Sequence, residues 1–131
     1  MVETPKPERF ASKRLVAGFV VALIAVGAYW WPPSYSEIQV IPSWWVFALI
    51  SVAAAMIFAS RVLRQSMMIG ASVAVGAMAA IVVRVIFDVI ADPTSHNLWP
   101  FELVIASLFI VPSALLGAAV GVVVRRLVPR N

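Results

Sequence analysis

The sequence predicts an all-α membrane protein: a bundle of four transmembrane helices with both termini on the cytoplasmic side. Three observations carry that expectation. Of the 131 residues, 63% are hydrophobic and 12% charged, whereas soluble domains carry about 45–50% apolar and about 25% charged residues. The apolar residues gather into four runs of near-bilayer length joined by short polar segments. All but one of the basic residues flank these runs, and on alternate sides only. A soluble bundle needs polar outer faces, and stretches such as Leu15–Trp31 and Phe101–Val124 offer none.

Residues 1–13 (MVETPKPERFASK) are polar, contain two prolines and read as a loose or surface-lying cytoplasmic tail. The first span is about Leu15–Trp31, at the short end of the roughly 17–25 residues that a bilayer demands. A basic segment before an apolar run also outlines a signal peptide. This run, however, ends in Tyr29-Trp30-Trp31-Pro32-Pro33 with no small-x-small cleavage motif. Aromatics followed by prolines mark an interfacial anchor and a helix stop, so the segment is read as retained.

The first loop, Pro32–Ile41, holds a single charge, Glu37. Pro42 suits the first turn of a helix, where a missing N–H costs nothing. Trp44 and Trp45 then repeat the aromatic anchor, and the second span covers about 44–60. Arg61 and Arg64 belong to a middle loop over 61–66, with Ser66 as the N-cap of a third span over about 67–90. The connection Ala91–Pro100 (ADPTSHNLWP) is rich in turn formers, with Asp92 as a cap. The fourth span covers about 101–124 and contains Pro112, which frees the Leu108 carbonyl and favours a bend. No internal repeat is evident, and residues 1–131 read as a single four-helix transmembrane domain.

Orientation follows from the basic residues. Lys6, Arg9, Lys13 and Arg14 precede the first span, Arg61 and Arg64 occupy the middle loop, and Arg125, Arg126 and Arg130 follow the fourth span. The first and third loops have none, and Arg84 lies within a span. The positive-inside rule therefore places both ends in the cytoplasm. The acidic residues beyond Glu8, namely Glu37, Asp88, Asp92 and Glu102, fall at or near the opposite face. The net charge of +4 is thus a record of topology, and no nucleic-acid partner is expected. The Ala/Val/Gly-rich spans and minimal loops suit a bacterial inner membrane.

Arg84 and Asp88 lead the candidate residues. Four positions apart on a helix, they share a face and come within reach of each other. Charges in hydrocarbon cost several kcal/mol and tend to face the bundle and pair. One reading is a cation, proton or anionic-substrate site; the other is a structural ion pair, and the two weigh about evenly.

Asp88, Asp92, His96 and Glu102 form a second group, a candidate outer-face cation or proton site. Against it, Pro93 ends the helix that would align the first three, Asp92 looks like a cap and Glu102 suits a helix first turn. The structural reading outweighs a metal site.

Small residues form a third group. Ser72, Gly76 and Ala80 step by four along the third span, as do Ser113, Gly117 and Gly121 along the fourth. Such stripes let helix backbones approach closely in lipid. The economical expectation is that spans three and four pack on each other, or that one stripe is an oligomer contact.

With no cysteine, thiol catalysis and thiolate metal sites are excluded. No nucleophile triad, metalloprotease motif or phosphate loop is present, and no cofactor is expected; a bis-histidine haem would need more than the single His96. Two readings remain: a non-enzymatic accessory or assembly component that packs against itself or a membrane partner, slightly favoured, and a small oligomeric transporter or channel that uses Arg84 and Asp88.

Overall fold

The computed structural model describes residues 7–32, 40–93 and 99–128, and all regular structure among them is α-helical. Helix α1 spans Pro7–Trp30, α2 Val40–Phe58, α3 Leu63–Ala91 and α4 Trp99–Leu127. Three stretches, Ser12–Trp30, Leu63–Ala91 and Trp99–Leu127, are long and apolar enough to cross a membrane; the apolar stretch Trp44–Phe58 of α2 is shorter.

The helices differ from the expected spans chiefly at their starts. The polar tail is not loose from Pro7 onward, because α1 already begins there. Proline at a first helical position is pre-set in φ and loses no hydrogen bond. The middle loop shrinks in turn, since α3 starts at Leu63 and takes in Arg64. Ser66 is consequently not the N-cap. That position falls to Val62, in extended conformation with φ −98° and ψ 119° and no side-chain cap.

Ser66 has a different task. Its hydroxyl donates to the Ser60 carbonyl at 3.0 Å and accepts the Ser60 N–H at 2.8 Å. Ser60 in turn accepts the Val62 N–H at 3.0 Å. Two serines thus satisfy the backbone of a turn that leaves little room for water. Asp92 is a C-cap of α3 and not an N-cap, with its N–H donating to the Asp88 carbonyl at 2.8 Å. Helix α4 is assigned as one unbroken helix through Pro112.

Neighbouring helices in the chain are not the closest partners in space. The largest contacts are α1 with α3 and α2 with α4, followed by α3 with α4; among the described residues α1 and α4 do not meet. Residue pairs fix the directions. Leu15 meets Ser72, and Trp30 meets Arg84, so α1 and α3 run parallel. Val52 meets Gly117, and Met56 meets Gly121, so α2 and α4 run parallel too. Arg14 reaches Ala59 while Trp30 packs on Trp44, which makes α1 and α2 antiparallel.

The core between them is built of small residues. Ala22, Ala55, Ala77, Ala80, Ala106, Ala114 and Ala118 are buried, with Phe47, Ile69, Ile81 and Ile110 filling the wider gaps. The outward faces are apolar as well. Phe87, Ile90 and Leu108 are 69%, 75% and 67% exposed. A helix that is apolar all round is at home in hydrocarbon, where close backbone packing replaces the hydrophobic drive that water supplies.

Candidate functional site

The small-residue stripes draw the helix pairs together, though not in the pairing expected. Gly76 on α3 lies against Phe19 of α1, where a Cβ would collide with the Phe19 carbonyl oxygen. Ser72, one turn earlier, donates its hydroxyl to the Leu15 carbonyl at 2.8 Å. Ala80 completes that stripe by accepting the Trp31 indole N–H at 3.1 Å. The third-span stripe therefore faces α1. The fourth-span stripe faces α2: a Cβ on Gly117 would meet the Val52 carbonyl, and one on Gly121 would meet Ala59 and Met56. The α3–α4 contact that those stripes were expected to make falls instead to Gly70, packed on Ala114 and Ala118. The spacing of small residues marks a close-packing face without naming its partner, which topology decides.

Arg84 sits at the end of the α1–α3 contact and is 7% exposed. Its Nε donates to Asp88 Oδ2 at 3.0 Å, the i,i+4 pair. A terminal nitrogen donates to the Trp30 carbonyl, the last residue of α1. The guanidinium carbon also lies 5.8 Å from the centroid of the Trp30 ring, within the range for attraction to an aromatic face.

Each contact has a physical reason. The last carbonyls of a helix lack internal partners and carry the negative end of its dipole, so a cation there is favourable. Arg84 thereby caps α1 from α3. Asp88 stands near the C-terminus of α3, the unfavourable end for an anion, and Arg84 compensates it. The Asp88 side chain is 28% exposed and borders a cavity of about 230 Å³ lined also by Trp31, Arg84 and Phe87.

The other members of the acidic group lie near the same end. Asp92 follows the last turn of α3, and Glu102 occupies the first turn of α4, the end of a helix that favours an anion. His96 lies outside the described residues. Among the described residues no three acidic or imidazole groups gather closely enough to hold a metal ion. An aromatic cluster packs beneath this end, with Trp30, Trp44 and Phe47 in mutual contact and Tyr29 edge-on to Phe47 at 6.0 Å.

The opposite end of the bundle repeats the arginine-on-carbonyl theme, which sequence reasoning missed. Arg14 donates to the Ala59 carbonyl at 2.9 Å and Arg125 to the Ile57 carbonyl at 2.6 Å, both at the C-terminus of α2. Arg61 donates to the Val128 carbonyl at 2.7 Å, just past α4. Arg126 closes the ring on the Arg61 carbonyl at 3.2 Å. Basic residues counted for orientation thus also cap helix ends. The available signal was their position beside helix C-termini, where cations are favoured.

Among the described residues, fold and site together define an all-helical protein with membrane-length apolar helices and a buried arginine of α3 that pairs with Asp88 on its own helix and bonds the end of α1. Comparisons with protein-family models, curated proteins and solved structures found no match.

Proposed function

We propose that the chain is a multi-pass protein of a bacterial inner membrane, crossing it four times with both termini and the α2–α3 turn in the cytoplasm. In this reading it is a non-enzymatic accessory or assembly component, and its apolar outer faces serve lipid and a membrane-protein partner or further copies of itself. The observation that carries the reading is the use made of Arg84. Its charge is satisfied by the end of α1, by Asp88 and by the Trp30 ring, all within the bundle. A buried cation so engaged fixes two helices in register and needs no substrate to explain it.

Orientation rests on the basic residues outside the spans, which flank the apolar runs on one side, while the acidic residues beyond Glu8 fall toward the other. The absence of cysteine makes it simple to test. In Ser36→Cys and Ser95→Cys a membrane-impermeant thiol reagent added outside should react, while Arg64→Cys should stay protected. The reverse pattern overturns the topology.

A second reading, a small oligomeric transporter or channel, draws on the cavity beside Arg84 and Asp88. Proteoliposomes separate the two. The accessory reading expects no proton or ion flux above empty vesicles. Flux that disappears in Asp88→Asn would overturn it in favour of transport.

A further inference from the structure

We infer that the basic end of the bundle holds a site for an anionic phospholipid, with the lipid phosphate between Arg61 and Arg125 and an acyl chain along α2 and α4. This rests on the membrane reading above. An open cavity of about 380 Å³ lies there, lined by Arg61 and Arg125 and walled by Met56, Ile57, Val124 and Val128. The combination is amphipathic in the same sense as a lipid: cationic at the bundle end, apolar where the helices enter hydrocarbon.

The arginines are placed and incompletely used. Arg125 spends one N–H on the Ile57 carbonyl, and Arg61 one on the Val128 carbonyl. These bonds hold both guanidinium groups at the cavity. A guanidinium has five donors in a planar fork that matches phosphate oxygens. The Arg125 Nε–H is shielded from water and has no acceptor in the structure. Neither arginine has a carboxylate partner among the described residues, where the buried pair Arg84–Asp88 lies at the far end. Arg126, bonded to the Arg61 carbonyl, adds a third positive charge nearby.

A cation cluster with no carboxylate partner among the described residues attracts an anion, and the apolar wall selects one that carries hydrocarbon. Basic pockets between transmembrane helices on the cytoplasmic side suit anionic head groups for these reasons. Free phosphate has the charge but gains nothing from Ile57 or Val124. Gly121 contributes space: it borders the cavity and lies against Met56, so a larger side chain would press on the wall.

The test uses the full chain in nanodiscs of defined composition, with bound lipid read by native mass spectrometry. Wild type in an equimolar mixture should retain phosphatidylglycerol over phosphatidylcholine by about tenfold or more, because the choline ammonium cancels the phosphate charge and would face the arginines, whereas phosphatidylglycerol keeps its net negative charge. Arg61→Gln with Arg125→Gln should reduce the ratio to near one. Val124→Trp keeps both arginines but fills the groove, and should reduce it as well. That variant decides the matter if the double substitution does not fold.

Equal retention of the two lipids by wild type overturns the site, as does a preference that survives both variants. Inorganic phosphate that displaces phosphatidylglycerol at millimolar concentration would show an ion site without a lipid, and overturns it too. Extraction of the native protein from membranes by alkaline carbonate is scored separately, because it tests the membrane reading and not the site.

Discussion

The two tight helix pairs solve the same packing problem with different means. Both α1–α3 and α2–α4 are parallel, and in both a glycine lets one backbone rest on a carbonyl of the other, Gly76 on Phe19 and Gly117 on Val52. The α1–α3 pair is also tied by polar bonds along its length, from Ser72 and Trp31 to the buried Arg84. The α2–α4 pair has its polar tie at one exposed end, Arg125 on Ile57. One contact therefore relies on close packing along its length with polar bonds at one end only, whereas the other is bonded from end to end. In hydrocarbon a polar group has few alternatives to its partner, which makes bonds of this kind specific even when their net strength is modest.

Breaking the buried tie should have the largest effect. Arg84→Ala is expected to lose about 2–3 kcal/mol, since the Trp30 carbonyl loses a charged donor and the part-exposed Asp88 loses its cation. Arg125→Ala, at an exposed end, is expected to lose under about 1 kcal/mol. Thermal unfolding in detergent measures both. Adding Asp88→Ala to Arg84→Ala should cost less than the sum of the single losses; strict additivity would disprove the coupling.

Overpacking comes next. Gly76→Leu and Gly117→Leu should each destabilise by about 1–3 kcal/mol through backbone displacement. Gly76 shares α1 with Arg84 and Gly117 does not. Gly76→Leu should accordingly couple to Arg84→Ala, while Gly117→Leu should add to it. Equal coupling at both glycines would mean that the pairs are not independent.

The smallest effect belongs to Ser72→Ala, which removes the bond to the Leu15 carbonyl but preserves the close approach. Membrane hydrogen bonds of this type average about 0.6 kcal/mol. A loss above about 2 kcal/mol would show the hydroxyl to be as important as the glycine beside it.

The four helices were legible because apolar runs and their flanking arginines and tryptophans are linear features. The Arg84–Asp88 contact was legible for a similar reason, as both residues lie on one helix and spacing alone brings them together. What escaped the sequence depends on a second helix. Nothing in the residues around Arg84 names Trp30, more than fifty positions away, as the acceptor of its other bond. Likewise, the steps Ser72–Gly76–Ala80 and Ser113–Gly117–Gly121 show which face is smooth but not which helix rests on it. The Ser60–Ser66 exchange was hidden because the helix starts before Ser66, and a serine inside a first turn looks the same in sequence as one that caps it.

The pairing of first with third and second with fourth has a temporal side. During synthesis α1 and α2 emerge together, yet neither is the other's principal partner. The Trp30 carbonyl waits for an arginine that lies some fifty residues further along the chain. A hairpin of α1 and α2 alone has the Arg14–Ala59 bond and the Trp30–Trp44–Phe47 rings to hold it, but leaves open the faces that Gly76 and Gly117 fill in the complete bundle. Only with α3 does the α1 end gain the Arg84 donor that its Trp30 carbonyl accepts. A chain ending before residue 84 therefore lacks the bond that fixes α1 and α3 in register.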